Sequence, residues 1–134
     1  MTNFHYNPDI VLPILTSDTW LERALARDPV RSVVAVILLN GVDAPYYIGI
    51  NYLPEGVLIR DGAPRELVRV MAIHAEKDAI IQALKHHDYP ELEGATMYVS
   101  LDPCDDCRNL MKLFKISDCY FAEYYVPSDS GVSK

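Results

Sequence analysis

Hydrophobic positions along this 134-residue chain follow two periods, and together they predict a mixture of strands and helices. The run SVVAVILL at 32–39 is continuously apolar and rich in β-branched residues, which is typical of a central strand buried on both faces. The dipeptide NG is a turn signal before YYIGINY at 46–52, so these two segments predict a β-hairpin. Apolar segments at 95–101 and 119–126 predict two further strands.

Helical periodicity and capping signals predict helices over 16–29, about 74–87 and 105–115. Residues 53–71 contain several prolines and glycines, and this composition predicts a long loop. Long loops within a compact domain often contain functional residues. Because helices alternate with strands in the second half of the chain, we expect the sheet there to be partly parallel. The pattern therefore predicts an α/β fold.

The composition is that of an ordinary globular protein, with 50% hydrophobic and 23% charged residues. We expect one domain over 1–126 and a disordered tail over 127–134. No apolar run is long enough for a membrane span, and the first residues lack the pattern of a signal peptide, so we expect a cytoplasmic protein. The net charge of −7 argues against long nucleic acid as a partner, whereas a nucleotide needs only one or two local cations.

Two of the three cysteines lie in PCDDC at 103–107, at the start of the last predicted helix. Cys107 heads the apolar face of that helix, and Cys104 lies just before its first turn. Both sulfur atoms can therefore converge at the helix N-terminus, where the partial positive charge favours thiolates. A CxxC pair in a chain with an odd number of cysteines indicates a metal or redox site rather than a disulfide framework.

The segment HAEKDAI places His74 and Glu76 at the start of another predicted helix. Positions i and i+2 lie on nearly opposite sides of a helix. These two side chains can therefore reach a common point only if that point lies near the helix axis, just outside the N-terminal end. Glu76 also heads an apolar face, where an unpartnered carboxylate is costly. The two residues make sense together if this helix also directs its N-terminus at the site.

One histidine and two cysteines around one point describe a zinc site with three protein ligands and an open fourth position. Such a metal lowers the pKa of bound water, and Glu76 is then the natural proton shuttle. A closed structural zinc site would need a fourth ligand, but His86 and His87 lie about 18 Å away along the helix, and His5 and Cys119 lie on distant segments. A thioredoxin-like dithiol is a further possibility, although it leaves Glu76 unexplained.

The two motifs together resemble the H-x-E…P-C-x-x-C signature of zinc nucleobase deaminases. On them the chain resembles the cytidine deaminase-like superfamily, and within it the deoxycytidylate (dCMP) deaminases. The similarity runs from about residue 20 to residue 126, and the segments that carry it are ALARDP, IGINYLPEGV, HAEKDAI and GATMYVSLDPCDDC. The resemblance implies a three-layer α/β/α sandwich with a mixed sheet.

By that resemblance, His74, Cys104 and Cys107 would bind zinc, and Glu76 would be the general acid and base. The resemblance also implies the contacts to the substrate, which are the side chain of Asn51, the backbone amide of Ala75 and the carbonyl at Ser100 or Leu101. The implied reaction is hydrolytic deamination at C4 of a cytosine nucleotide, most of all dCMP to dUMP.

The chain also departs from the family pattern. Asp78 stands where the family usually has asparagine, and Arg108 follows the second cysteine where small or lysine residues are common. The strand at 119–126 is the last one predicted, whereas the usual member continues with another helix and a fifth strand, so we expect a fold truncated after the fourth strand. Because an uncovered apolar edge strand needs a cover, we expect a homo-oligomer, which is also common in this family.

Contacts to the substrate's phosphate and base have weaker signals. The candidates for the phosphate are Arg60, Arg65, Arg69 and Arg108, although each of them is better explained as a solvated surface residue. Tyr124 and Tyr125 are expected either to stack on the base or sugar or to fill the edge of the sheet.

Two alternatives to dCMP deamination stay open. The substrate could be dCTP, CMP, a free nucleoside, a nucleobase or an adenine-type or modified nucleotide. A tRNA adenosine deaminase shares both motifs, but the acidic balance disfavours RNA. The alternative from another class is a catalytically inactive zinc or nucleotide-binding module, against which Glu76 argues because nothing structural needs that carboxylate.

Overall fold

The computed structural model describes residues 2–15, 33–41, 44–52 and 73–124, and these form a five-stranded sheet with helices on both faces. The strands are β1 (Asn3–Tyr6), β2 (Val34–Leu38), β3 (Tyr46–Ile50), β4 (Thr96–Leu101) and β5 (Asp118–Glu123). The helices are α1 (Pro8–Leu15), α2 (Ala75–Leu84) and α3 (Asp105–Leu113), with a 3₁₀ turn at Tyr89–Leu92. The strand order across the sheet is β1-β5-β4-β2-β3.

The sheet is mixed, as predicted. β2 pairs antiparallel with β3, which confirms the hairpin, and antiparallel with β4 on its other side. β4 and β5 pair in parallel through the crossover that contains α3, which confirms the partly parallel second half. Because β2 runs against both neighbours, its start meets the ends of β3 and β4 at one edge of the sheet, and the functional site lies there.

The predicted three layers are also confirmed. α1 covers one face, where Val11 and Leu15 pack against Val34, Val36 and Ile50. α2 and α3 cover the other face over a larger core that includes Ile37, Met97, Val99, Met111 and Phe121. In that larger core Cys119 is fully buried, which confirms its interpretation as a small hydrophobic residue.

The expectation of a fold truncated after the fourth strand is wrong. β1 pairs in parallel with β5, with Asn3 opposite Asp118 and Tyr6 opposite Phe121. The start of the chain therefore supplies a fifth strand and covers the edge that we expected to be open at 119–126. That the protein forms a homo-oligomer stays a prediction. An uncovered β5 edge no longer supports it, because β1 covers that edge.

Short length and a helix-breaking residue hide β1 and α1 from sequence patterns. β1 has only four residues, and α1 contains Pro13, which lacks the amide donor that a helix interior normally uses. α1 nevertheless has a regular start, because the side-chain oxygen of Asn7 accepts the Ile10 N–H at 3.2 Å and Pro8 occupies the first turn.

Three predicted segments lie outside the described residues: the helix over 16–29, the loop over 53–71 and the tail over 127–134. The remaining predicted helices are observed with shorter bounds, since α2 ends at Leu84 and α3 at Leu113. Of the helices that the structure describes, none has the length and apolar character needed to cross a membrane.

Candidate active site

α2 lies directly against strand β3 because the facing side chains are very small. Ala75, Ala79 and Ala83 recur at every fourth position of α2 and are fully buried. Opposite them stands Gly49 of β3, where an added Cβ would lie 2.1 Å from the carbonyl oxygen of Ala75 and 2.2 Å from the backbone nitrogen of Ala79. Contact between two backbones therefore fixes where α2 begins.

A buried carboxylate makes the second connection between α2 and β3. Asp78 is only 3% exposed, and its Oδ2 accepts the Ile50 N–H at 2.9 Å. Its Oδ1 accepts from Nε2 of Gln82 at 3.1 Å. An asparagine oxygen could also accept the Ile50 N–H. The aspartate at position 78, where the family usually has asparagine, therefore keeps the hydrogen bond that anchors α2 to β3.

Backbone pairing just outside β3 places the residue before the helix. Tyr52 and Ile73 form an antiparallel bridge, with N–H to carbonyl distances of 3.0 and 2.7 Å. His74 follows with extended backbone angles as the N-cap of α2. His74 therefore lies just before the first helical residue, Ala75. The spacing of His74 and Glu76 predicted this position at the N-terminal end of the helix.

The structure brings the predicted metal ligands together. Nδ1 of His74 lies 3.4 Å from the sulfur of Cys104 and 3.4 Å from the sulfur of Cys107. All three ligand atoms lie within 4.8 Å of one another. Cys104 is the exposed N-cap of α3, and Cys107 is buried in its first turn. Two helix N-termini thus meet at one cluster of donors.

The donor set fits zinc in both chemistry and spacing. Thiolate and imidazole are the ligands that zinc prefers, and tetrahedral bonds of about 2.3 Å to sulfur and 2.0–2.1 Å to nitrogen place S and N about 3.5 Å apart. Within the described ranges, His74, Cys104 and Cys107 form the only such group of three or more donors. His5 instead pairs with Asp118 at 2.9 Å. The described part of the chain therefore favours an open site over a closed structural one.

Glu76 is a buried carboxylate beside this cluster. Its side chain is 4% exposed although it carries an ionisable group. Burial raises the pKa of Glu76 to about 7, against the opposing effects of its own backbone amide, of His74 and of a hydrogen bond with the Cys107 thiol. The carboxyl group therefore touches the metal-ligand cluster from inside the protein.

The two cysteines form a coupled pair. A hydrogen bond from the Cys107 thiol lowers the pKa of Cys104 to about 3, opposed by partial burial and helped by His74 and by the Cys107 backbone amide at the start of α3. The same hydrogen bond and burial raise the pKa of Cys107. The pair therefore favours one thiolate that accepts a hydrogen bond from the other sulfur, and a bound cation would take the place of the shared proton.

The side chains expected at the substrate converge on the start of β2. Oδ1 of Asn51, which is 6% exposed, accepts the Val33 N–H at 2.8 Å. Oγ of Ser100 accepts the N–H of the next residue, Val34, at 3.1 Å. Both residues therefore lie at the edge of the sheet where α2 and α3 begin.

The backbone groups expected at the substrate lie at the same edge. Ala75 is the first residue of α2, whose initial N–H groups have no partner within the helix. Leu101 is the last residue of β4. The segment 102–104, which we call the metal loop, follows it and ends at the cluster residue Cys104. Tyr124 lies just after β5, is 58% exposed and stacks on Tyr6 with ring centroids 4.5 Å apart.

Of the phosphate candidates, only Arg108 lies within the described residues; Arg60, Arg65 and Arg69 lie outside them, as does Tyr125. Interpreting Arg108 as a solvated surface residue is wrong, because its side chain is 29% exposed and bound on several sides. The guanidinium pairs with Oδ1 of Asp102 at 2.5 Å, donates to the carbonyl of Pro103 at 3.1 Å and lies 4.1 Å from the ring centroid of Phe4.

Gly49 and Arg108 contact the segments that carry the site residues, and sequence patterns missed both contacts. A glycine inside a strand is a known sign of close backbone approach, which could have drawn attention to Gly49. For Arg108 the signal is the opposite charge of Asp102 on the other side of PCDDC. The contact with Phe4 has no signal in the local sequence.

A model of the family described as the cytidine and deoxycytidylate deaminase zinc-binding region matches residues 17–123. The deoxycytidylate deaminases of Enterobacteria phages T2 and T4 are each 39% identical to this chain over 59 residues. Those matches cover 44% of this chain and 30% of each relative, so the chain corresponds to less than a third of their length.

Among solved structures, the chain is similar to the dCMP deaminase from the cyanophage S-TIM5. In complex with dCMP and dUMP, that protein matches with a TM-score of 0.64 and 20% identity, covering 94% of this chain and 90% of that chain. Its apo form matches with a TM-score of 0.54 and 18% identity, covering 92% of this chain and 90% of that chain. At this identity the likeness establishes the fold.

Proposed function

The chain belongs to the family of the cytidine and deoxycytidylate deaminase zinc-binding region, and on that premise we propose that it hydrolyses dCMP to dUMP and ammonia. One water molecule is consumed, the C4–N bond of cytosine breaks, and a carbonyl oxygen replaces the amino group. The phage relatives that support this substrate are named deoxycytidylate deaminases. Such a substrate would place the protein in the cytoplasm.

The observation that carries this proposal is a buried carboxylate beside an open set of metal donors. Glu76 is 4% exposed and hydrogen-bonded to Cys107, which is one of the three donors. A purely structural zinc site has no use for such a carboxylate, and burying it without function costs stability. A hydrolytic deaminase needs it, since the reaction moves protons at two nitrogen atoms.

The proposed mechanism assigns metal binding and proton transfer to different side chains. His74, Cys104 and Cys107 would hold zinc, which activates a water molecule when bound. Glu76 would accept a proton from the attacking water and deliver it to N3 of the cytosine ring; it would then accept the second proton, from the new C4 hydroxyl group, and deliver it to the amino group, which leaves as ammonia. Its burial excludes bulk water, so that the proton stays between the carboxylate and the substrate.

The remaining side chains and amides would orient the nucleotide. Because Oδ1 of Asn51 accepts from Val33, we expect the amide nitrogen of Asn51 to donate to the sugar or base. The backbone N–H of Ala75 would donate to the pyrimidine carbonyl, and the carbonyl at Ser100 or Leu101 would accept from the amino group. Tyr124 would stack at the outer rim.

Turnover of several nucleotides by the purified protein tests the proposal. The substrates are dCMP, dCTP, CMP, deoxycytidine and dAMP, followed by ammonia release and absorbance. We expect dCMP to react fastest and Glu76→Gln to lower kcat by about 10²–10⁴-fold, the usual contribution of general acid–base catalysis. The matched control is Glu93→Gln, which removes the same charge from an exposed position away from the donors.

Three outcomes would contradict the proposal or narrow it. No turnover of any pyrimidine would remove the proposed activity and favour a zinc or nucleotide-binding module. Full activity of Glu76→Gln with zinc bound would remove the proposed proton shuttle. Preference for a free nucleoside or for dAMP would keep the deaminase class and replace the substrate.

A further inference from the structure

Arg108 connects three separate parts of the molecule close to the metal ligands. It lies in α3, one residue after Cys107. Its guanidinium binds Asp102 at 2.5 Å and the Pro103 carbonyl at 3.1 Å, and its planar group lies over the ring of Phe4 at 4.1 Å. The side chain is 29% exposed, so water screens these contacts only in part.

The contacts of Arg108 fix the segment that carries Cys104. Asp102 and Pro103 immediately precede this cysteine, which is the exposed ligand of the cluster. A second connection holds the same segment from β5, where the carbonyl of Glu123 accepts the Asp102 N–H at 2.7 Å. Arg108 therefore ties the loop to α3, whose first turn carries Cys107, and so sets the position of one sulfur relative to the other.

Phe4 supports the guanidinium from the first strand of the sheet. Its ring packs at the margin of the larger core. A cation over an aromatic face is attracted by the ring's electron density, and the planar guanidinium stacks there better than an ammonium group. Strand β1, which sequence patterns did not predict, therefore reaches the metal loop through one side chain.

We propose that Arg108 is a positioning residue for the metal centre, and that Phe4 holds it in the orientation that binds Asp102 and Pro103. The proposal rests on the metal site of the proposed function, but it is independent of which amine is removed. In this role Arg108 acts through Asp102 and Pro103 and keeps the two sulfur atoms at the spacing that a tetrahedral zinc ion requires.

Zinc affinity measures this effect without any substrate. Competition against a chromophoric chelator gives the dissociation constant for zinc in wild type, Arg108→Gln, Arg108→Lys and Phe4→Leu. Cobalt(II) in the same site reports the geometry, because its visible absorption and its thiolate-to-metal band depend on the arrangement of the ligands. Lys112→Gln is the matched control, since it removes the same charge from an exposed position of the same helix.

We expect Arg108→Gln to weaken zinc binding by about 10- to 100-fold, the range seen when groups behind metal ligands are removed. Arg108→Lys should lie between it and wild type, because one ammonium cannot match the planar fork that reaches both partners. Phe4→Leu should cost about 2- to 5-fold, the equivalent of one partly exposed cation–π contact. Both Arg108 variants should shift the cobalt bands, while Lys112→Gln should change neither readout.

Thermal unfolding of the metal-free proteins separates positioning from general stability. Wild-type zinc affinity and an unchanged cobalt spectrum in Arg108→Gln would overturn the proposal. An affinity loss that merely follows a lower melting temperature of the metal-free protein, with unchanged cobalt bands, would also overturn it. If Arg108→Gln does not fold, Arg108→Lys and Phe4→Leu test the proposal by the same criteria. The zinc and cobalt measurements need no substrate, so they remain valid even if the protein does not turn over dCMP.

Discussion

The starts of α2 and α3 meet at the same point but are built in different ways. At the start of α2 the chain is inside the protein, with Ala75, Glu76 and Asp78 all less than 5% exposed. At the start of α3, Cys104 and the two aspartates that follow it are exposed, and only Cys107 is buried. The buried start supplies one nitrogen donor and the carboxylate to which we assign proton transfer, and the exposed start supplies two sulfur donors.

The two helices are also held by different kinds of contact. α2 is placed by the absence of a side chain, because Gly49 lets two backbones touch. α3 and its loop are placed by the presence of a side chain, because Arg108 connects Asp102, Pro103 and Phe4. We therefore expect substitutions on the α2 side to act steeply through sterics, and those on the α3 side to act in graded steps.

Metal ligands should give the largest effects, and the two helix starts should be equivalent in this respect. We expect His74→Gln and Cys104→Ser each to weaken zinc binding by at least about 1,000-fold, well beyond the 10- to 100-fold cost of losing a group behind the ligands. Zinc content after dialysis and chelator competition measure this. Chelation should abolish deamination in wild type, and added zinc should restore it.

The third cysteine provides the control for that experiment. Cys119 is fully buried and lies outside the donor group. Cys119→Ala should therefore keep its zinc even if it loses some stability. Full zinc content in either His74→Gln or Cys104→Ser would show that the three donors do not act as one site.

Gly49→Ala should give the next largest effect and is the most direct test of the steric argument for α2. The added Cβ would meet backbone atoms at 2.1 and 2.2 Å, which cannot rotate away as a side chain would. We expect a loss of about 3 kcal/mol in the free energy of unfolding, the upper part of the usual range for overpacking. Urea unfolding of the metal-free protein measures it.

Gly41→Ala separates crowding from backbone conformation. Gly41 has a φ of +118°, but a Cβ there would meet nothing within 4 Å. The strain of the positive φ alone should cost about 1–2 kcal/mol. Equal losses for the two variants would mean that α2 can move away from β3, and the contrast between the two helix starts would fail.

The contrast also explains which features could be predicted from the sequence. Strands β2 to β5 and helices α2 and α3 have clear periodicity, and His74, Glu76, Cys104 and Cys107 lie in short motifs at helix starts. A motif concentrates its information within a few residues, so convergence of the two helix ends follows once both are recognised. The convergence of these four side chains was therefore predictable from the sequence.

Contacts between distant segments were not predictable in this way. Pairing of β1 with β5 joins opposite ends of the chain in parallel, and no local turn signals such a partner. The stacking of Arg108 on Phe4 depends on that pairing, so it was hidden with it. Gly49 was visible within a family-like segment, but the close approach of Ala75 and Ala79 is a property of the packed fold.

Asp78 variants should give an intermediate effect and test whether the anchor of α2 needs a charge. Asp78→Leu leaves the Ile50 N–H without its acceptor in a buried position, which should cost about 2 kcal/mol in the free energy of unfolding. Asp78→Asn keeps an acceptor oxygen and should cost less than about 1 kcal/mol. A loss in Asp78→Asn as large as that in Asp78→Leu would mean that the negative charge itself matters, and urea unfolding of both variants decides.

The smallest effects should come from the aromatic pair at the outer rim. Tyr6 and Tyr124 stack at 4.5 Å and are 49% and 58% exposed, so replacing either by leucine should cost less than about 1 kcal/mol of stability. If the pair only finishes the edge of the sheet, the two variants should behave alike in every assay. Because we propose that Tyr124 also touches the nucleotide, Tyr124→Leu should raise KM for dCMP several-fold with little change in kcat, whereas Tyr6→Leu should leave KM nearly unchanged. Equal KM values in both variants would return Tyr124 to a purely structural role and would limit the substrate contacts to the buried side of the site.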